Sequence, residues 1–72
     1  MWDVGAGSGS IAVEWCRSAA GCTAVAFERD ERRRRNIERN ATAFGVDIDV
    51  RAEAPGQFEG APTPAAIFLG GD

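Results

Sequence analysis

Three glycines alternate with small residues directly after the first apolar segment of the chain, in the order Gly5-Ala6-Gly7-Ser8-Gly9-Ser10. The segment before them, Trp2-Asp3-Val4, reads as a short strand, and the pattern that follows them is helical. Glycine lets the backbone approach a ligand closely, and the first N–H groups of a helix can face a polar or anionic group. A strand, a glycine-rich turn and a helix in this order predict a nucleotide-binding pocket.

The spacing of these glycines differs from the dinucleotide fingerprint. Dinucleotide-binding folds have G-x-G-x-x-G, whereas here the third glycine comes one position early, at Gly9, and Ser10 follows it. A plain strand-to-helix turn is the alternative interpretation, but three alternate glycines are more than such a turn requires. The motif therefore favours a nucleotide site and counts against a dinucleotide ligand.

Strands and helices alternate along the rest of the sequence. Apolar periodicity and capping residues predict helices over 10–19 and 31–44, the second with Asp30 as its N-cap and Gly45 just past its end. Apolar runs predict strands over 2–4, 23–27, 47–52 and 65–69, the third nearer an edge, and a loop over most of 54–64. This alternation predicts an α/β fold with a parallel sheet.

Each predicted helix carries an apolar stripe that we expect to face the sheet. The stripes are Ile11, Ala12, Trp15 and Ala19 in the first helix, which Gly21 ends, and Ile37, Ala41 and Phe44 in the second. Trp2 and Trp15 are expected to be packing aromatics. The run Arg32-Arg33-Arg34-Arg35 points all the way round a helix, so it predicts a solvated surface paired with nearby acids, not a nucleic-acid face.

Two acidic residues stand where predicted strands end. Glu28 follows the second strand, about 20 residues after the glycine loop, where a carboxylate can accept two hydrogen bonds from ribose hydroxyls. Glu53 follows the third strand and could accept from an adenine amino group, with Ala54 against the ring. The alternatives are that Glu28 is a solvated acid beside Asp30 and that Glu53 is an exposed acid in a loop.

Composition excludes several other functions. The net charge of −3 argues against nucleic acid or an anionic membrane as partner. The chain has no His, so it offers no His general base or metal ligand. Cys16 and Cys22 are expected to be reduced and buried, with a disulfide between them as the alternative. No signal peptide is found, which predicts a cytoplasmic location. Because a doubly wound domain needs more strands than 72 residues supply, residues 1–72 are expected to be part of a larger domain.

The string from Trp2 to Trp15 resembles the first motif and helix of the decarboxylating precorrin-6Y methyltransferases of cobalamin biosynthesis. These are class I S-adenosylmethionine-dependent methyltransferases, many of which share an acidic residue two positions before G-x-G-x-G. Ser10 followed by Glu14-Trp15 is particular to this family. Later pieces match in the same order: Ala26-Phe27-Glu28-Arg29, Asn36-Ile37, Asn40, Phe44-Gly45-Val46, Glu53-Ala54-Pro55 and Ile67-Phe68-Leu69-Gly70-Gly71.

The resemblance implies S-adenosyl-L-methionine as cofactor and a Rossmann-like class I methyltransferase fold, of which this chain supplies the N-terminal part with about four strands. The glycine loop would cradle the amino-acid carboxylate, and Asp3 would hold the loop or accept from the ammonium group. Glu53 stands where the family usually has Asp. The expected cofactor-binding residues are Asp3, Gly5, Ala6, Gly7, Ser8, Gly9, Glu28, Arg29, Glu53, Ala54 and Gly70; no catalytic residue and no metal ligand is assigned.

The implied reaction is C-methylation of a reduced tetrapyrrole, a precorrin, at two meso carbons with loss of carbon dioxide from an acetate side chain. Such a transfer needs positioning and desolvation more than a strong base, so the lack of His is no objection. The resemblance also implies a homo-oligomer of the full-length protein. Two alternatives remain: an NAD(P)-dependent enzyme on the same fold, and a non-catalytic module that keeps the nucleotide cradle without an acceptor site.

Overall fold

The structure, a computed structural model, describes residues 1–18, 23–54, 56 and 66–70. These residues form, in chain order, β1 (Trp2–Val4), α1 (Ser10–Ser18), β2 (Thr23–Phe27), α2 (Glu31–Phe44), β3 (Asp47–Arg51) and β4 (Ile67–Leu69). The strands pair in parallel in the order β3-β2-β1-β4. The prediction of an α/β fold with a parallel sheet is therefore confirmed.

The order in which successive strands are added to the sheet reverses at β1. The chain builds outward from β1 through β2 to β3, and then places β4 on the opposite side of β1. Val4, the last residue of β1, is level with Phe27 of β2 and with Leu69 of β4. Open α/β sheets bind ligands outside the carboxyl ends of their strands, near such a reversal. The glycine loop, which follows Val4, therefore lies at the edge where this fold binds ligands.

Local capping determines both ends of α2. One carboxylate oxygen of Asp30 accepts hydrogen bonds from the amides of Arg32 and Arg33, at 2.8 and 3.4 Å. At the other end, Gly45 has a φ of 65° and its amide donates to the last turn. A side-chain oxygen at the N-cap satisfies first-turn amides, and glycine adopts the left-handed conformation without strain. The predicted bounds of this helix are confirmed.

The core between α1 and the sheet is built from small side chains. Ala12 and Cys16 of α1 form a buried cluster with Ala24 of β2. The stripe predicted on α1 is wrong at Ile11 and Trp15, whose side chains are 41% and 38% exposed. Small side chains let a helix lie close to a sheet. The face of α1 that packs on the sheet therefore carries Ala12 and Cys16, and the bulky Ile11 and Trp15 lie outside it.

The stripe predicted on α2 is confirmed at Ile37 and Ala41, which are buried, but is wrong at Phe44, which is 53% exposed. The ring of Phe44 lies instead beside α1, where the guanidinium of Arg17 is 4.8 Å from its centroid. A cation over an aromatic face is favourable at the surface, so this ring gains a partner without entering the core.

Aromatic packing between β1 and β2 agrees with the prediction for Trp2. Its ring meets that of Phe27 edge to face, with 5.4 Å between the centroids. Phe27 is buried and ends β2, whereas Trp2 begins β1, so this contact joins the two central strands diagonally.

Strand boundaries differ slightly from the predictions. β3 ends at Arg51, one residue early, and β4 begins at Ile67. β3 lies at the end of the strand order, as predicted. β4 lies at the other end, and its three side chains are exposed.

Several predicted features lie outside the described residues: Ala19, Gly21, Cys22, Ala65, Gly71 and nearly all of the loop over 54–64. Cys16 is buried, and its thiol donates to the carbonyl oxygen of Asp47 with an S···O distance of 3.8 Å. The state of the two cysteines as a pair stays a prediction. Neither helix in the described part of the chain is long and apolar enough to cross a membrane.

Candidate cofactor site

A cavity of about 250 Å³ opens at the carboxyl ends of β1, β2 and β3. Its lining comes from the ends of these strands, the residues just after them and the first turn of α2: Val4, Gly5, Phe27, Glu28, Arg29, Arg33, Glu53 and Ala54. Small-molecule sites measure about 300–1,000 Å³, so this cavity has room for part of a nucleotide-sized ligand. The structure brings five predicted residues together here: Gly5, Glu28, Arg29, Glu53 and Ala54.

The glycine loop, residues 5–9, uses most of its amide groups within the protein. The amides of Gly5 and Ala6 donate to the carbonyl oxygen of Phe27, at 2.8 and 3.2 Å. The amide of Gly9 donates to the carbonyl oxygen of Ala6 at 2.9 Å. These N–H groups are committed to the fold, so what the loop offers a ligand is space more than open hydrogen-bond donors.

Two glycines of this loop have the same conformation but different surroundings. Gly7 and Gly9 have φ values of 61° and 79°, in the region that L side chains rarely adopt. A Cβ at Gly9 would lie 2.9 Å from Cγ2 of Ile37, whereas a Cβ at Gly7 would have no atom within 4 Å. Gly9 is thus required by packing against α2, and Gly7 is the glycine beside open space. Ser8, between them, is exposed.

Glu28 links the glycine loop to the turn between β2 and α2. Its Oε1 accepts a hydrogen bond from the amide of Gly7 at 2.9 Å, and its Oε2 accepts one from the amide of Asp30 at 3.0 Å. The side chain is buried, so the alternative of a solvated acid is wrong. A carboxylate has about four lone-pair sites, and two of them remain for the hydroxyl groups of a ligand.

Asp3 is buried beneath the glycine loop with one carboxylate oxygen unsatisfied. The residue is 1% exposed, and its Oδ2 has no hydrogen-bond partner among the described residues. Burial raises the pKa of Asp3 above its ordinary value of 3.8, and the nearby charge of Glu28 raises it further. A hydrogen bond from the amide of Ala12 acts in the opposite direction and lowers the pKa. The fold thus keeps a costly buried acceptor at the position of the predicted ligand contact.

We expect Asp3→Asn to stabilise the folded chain at neutral pH. Because the folded-state pKa of Asp3 is raised, its stabilising contribution is complete below pH 3.8 and is lost as the pH rises through the folded-state pKa. Asn carries no charge, so the substitution removes both the cost of burying a charge and the repulsion with Glu28. The gain should reach about 1 kcal/mol at pH 7 and vanish in acid. Thermal unfolding between pH 3.5 and 7 measures it.

The matched control for Asp3→Asn is Asp47→Asn, which removes an exposed carboxylate from β3. We expect no pH-dependent gain in stability from this control. An equal gain in both variants would indicate a general effect of net charge and would contradict the role assigned to the burial of Asp3.

Glu53 and Ala54 border the cavity beyond β3, as predicted. The Oε1 atom of Glu53 lies 3.8 Å from Nη1 of Arg51, and Nε of Arg51 contacts Oδ2 of Asp49 at 3.1 Å. A partly exposed ion pair at such a distance contributes little, so Glu53 keeps its capacity to accept from a ligand. Ala54 is exposed and small, which leaves room for a flat group beside it.

Gly70 lies apart from the cavity, on the β4 side of β1. Its amide donates to the carbonyl oxygen of Val4 at 2.7 Å, and a Cβ at Gly70 would lie 2.5 Å from the carbonyl oxygen of Gly5. Only glycine permits this approach. In this structure Gly70 therefore packs against the start of the glycine loop and is not among the residues that line the cavity.

Three residues of α2 line the cavity or hold the segments around it, although none of them was predicted as a site residue. Arg33 lines the cavity. Nη1 of Arg34 donates to the carbonyl oxygens of Glu28 and Arg29, at 3.0 and 2.7 Å, so Arg34 fastens the β2–α2 turn instead of lying on a solvated surface. Asn40 donates to the glycine loop. In the sequence, Arg33 and Arg34 are marked only by their position in the first helical turn after Asp30. Arg32 lies in the same turn, so this position does not distinguish them.

The sequence model of one family, described as the precorrin methyltransferase domain, matches residues 1–72. Two proteins of Mycobacterium tuberculosis (strains CDC 1551 / Oshkosh and H37Rv), named precorrin-6Y C(5,15)-methyltransferase [decarboxylating], are each 72% identical over 99% of the chain. A protein of the same name from Sinorhizobium sp is 45% identical over 99% of the chain. The chain spans 18% of the length of each of these relatives. No solved structure matches it. The chain therefore belongs to the precorrin methyltransferase domain family.

Proposed function

We propose that the chain forms the S-adenosyl-L-methionine-binding part of a methyltransferase that acts on a precorrin in cobalamin biosynthesis. The observation that carries the proposal is the cavity at the carboxyl ends of β1–β3, with the buried carboxylate of Glu28 between the glycine loop and α2. The family match and the names of the relatives support methyl transfer to precorrin-6Y with decarboxylation. Residues 1–72 are then one part of a larger catalytic domain.

The residues of the site fit this cofactor in their chemistry. Glu28 would accept from the ribose hydroxyls, and Glu53 from the adenine amino group, with Ala54 against the ring. Asp3 is 1% exposed and does not line the cavity, so its carboxylate would attract the ammonium group through its charge and not by direct contact. The open space beside Gly7 would admit the methionine portion. When bound, the cofactor supplies an electrophilic methyl group.

The contribution of this chain to catalysis is to bind and orient. Buried acceptors that are set before the ligand arrives lower the cost of holding it in one geometry. Gly70, at the end of β4, would border the position where methyl group and acceptor meet. No residue of this chain is assigned a proton transfer. A cytoplasmic location and a homo-oligomeric full-length enzyme remain predictions from the sequence and the resemblance.

The geometry of the loop also argues against a dinucleotide. Dinucleotide folds place a pyrophosphate on the loop amides and the helix N-terminus. Here the amides of Gly5, Ala6 and Gly9 donate to backbone carbonyls, and the amide of Gly7 donates to a carboxylate. A pyrophosphate would lack these donors and would face Glu28.

We expect the chain to bind S-adenosylhomocysteine saturably and to bind NADH much more weakly. Trp2 reports on the site because its ring contacts Phe27, which lines the cavity. Trp15 is exposed on α1, so a Trp15→Phe variant leaves Trp2 as the single fluorophore for the titration. Comparable binding of NADH would favour the nicotinamide alternative. A folded chain that binds neither compound would overturn the proposal and indicate that the glycine loop does not bind a cofactor.

A further inference from the structure

Three consecutive residues of the glycine loop, at positions 7 to 9, meet residues from outside the loop. Gly7 and Gly9 are held by the contacts with Glu28 and Ile37 described above. Between them, the carbonyl oxygen of Ser8 accepts a hydrogen bond from Nδ2 of Asn40 at 2.9 Å. All three partners lie at the end of β2 or on α2, so the second strand–helix unit forms the support for the loop.

The Asn40 contact orients more than one group of the loop. A peptide unit is planar, so fixing the carbonyl oxygen of Ser8 also fixes the amide of Gly9. That amide donates to the carbonyl oxygen of Ala6 at 2.9 Å, which closes the loop. Asn40 is therefore placed to set the shape of the segment from Ala6 to Gly9, although it does not line the cavity.

We propose that Asn40 is a positioning residue for the cofactor site, acting through the carbonyl oxygen of Ser8. Its effect on ligand affinity rests on the proposed function, whereas its effect on the loop does not. Loss of this hydrogen bond leaves the loop a wider range of conformations, only some of which present open space at Gly7 to a ligand.

Asn36 provides a matched control one turn earlier on the same helix. Its side chain is exposed, whereas that of Asn40 is half-buried against the loop. Alanine is a stronger helix former than asparagine, so both substitutions to alanine favour α2 to a similar degree. A difference between Asn40→Ala and Asn36→Ala therefore reports the contact with Ser8.

The test combines amide hydrogen exchange with titration of S-adenosylhomocysteine. In Asn40→Ala we expect the Gly7 and Gly9 amides to exchange about 2- to 10-fold faster, the range expected for one lost neutral hydrogen bond. Amides of β2 should exchange at unchanged rates and those of α2 no faster than before, which a general loss of stability would not allow. The affinity for S-adenosylhomocysteine should fall by a similar factor, and Asn36→Ala should match the unsubstituted chain in both measurements.

A second variant, Asn40→Asp, keeps the size of the side chain but removes the donor, and should also speed exchange in the loop. Asn36→Asp is its control for charge. Unchanged loop exchange in both Asn40 variants would overturn the positioning role, whether or not the ligand binds. Faster loop exchange in a chain that binds no S-adenosylhomocysteine would support the role of Asn40 in the loop and contradict the proposed function.

Discussion

Gly9→Ala should destabilise the chain by about 2–5 kcal/mol, a large fraction of the free energy of unfolding of a small domain. Two effects add. A side chain at a φ of 79° costs about 1–2 kcal/mol, and the new Cβ would lie 2.9 Å from Cγ2 of Ile37 in a close-packed core. Ile37 is fully buried, so it has little freedom to retreat. Urea unfolding followed by circular dichroism measures the loss.

Gly7→Ala separates these two effects. Gly7 has a similar φ of 61°, but its Cβ would meet nothing within 4 Å. The substitution therefore carries the conformational strain alone, and Gly9→Ala should exceed it by about 1–3 kcal/mol. Equal losses in the two variants would show that Ile37 does not confine Gly9. In an Ile37→Ala background, Gly9→Ala should cost less stability than it does in the unsubstituted chain, because the two closest atoms of Ile37 are absent.

Glu28→Ala should lower both stability and ligand affinity. The substitution leaves the amides of Gly7 and Asp30 without their acceptor, and hydrogen bonds to a charged group contribute about 1.5–3 kcal/mol each. Relief of the repulsion with Asp3 offsets part of this, so we expect a net loss of about 2–4 kcal/mol. Affinity for S-adenosylhomocysteine should fall at least about 100-fold, since Glu28 is the proposed acceptor for two ribose hydroxyls.

Glu28→Gln distinguishes the two roles of this side chain. Gln keeps one acceptor oxygen, so it can satisfy Gly7 or Asp30 but not both, and we expect a smaller loss of stability than in Glu28→Ala. The control is Glu38→Ala, which removes an exposed carboxylate from α2 at the same cost in net charge. If Glu28→Gln bound S-adenosylhomocysteine as well as the unsubstituted chain, the proposed ribose contact would be wrong.

Features that depend on local chemistry were predictable from the sequence. Asp30 and Gly45 mark the ends of α2 through hydrogen bonds within a few positions of themselves. The meeting of Glu28 and Glu53 in one cavity was predictable as well, because the carboxyl ends of parallel strands lie at a common edge.

Features that depend on the distance between elements were not predictable. Ile11 and Trp15 fit a helical apolar stripe as well as Ala12 and Cys16 do, and only the close approach of α1 to β2 selects the smaller pair. In the same way, four consecutive arginines look alike in sequence. The rotation of α2 alone decides that Arg34 reaches back to the β2–α2 turn.

The support of the glycine loop by α2 has a consequence for the order in which the site forms during synthesis. Ser8 is synthesised before both of its loop's partners: Asn40, which bonds it, follows 32 positions later, and Glu28, which bonds Gly7, follows 21 positions after Gly7. Closing such contacts costs the entropy of the intervening chain. We therefore expect the glycine loop to reach its native shape only after α2 has been synthesised.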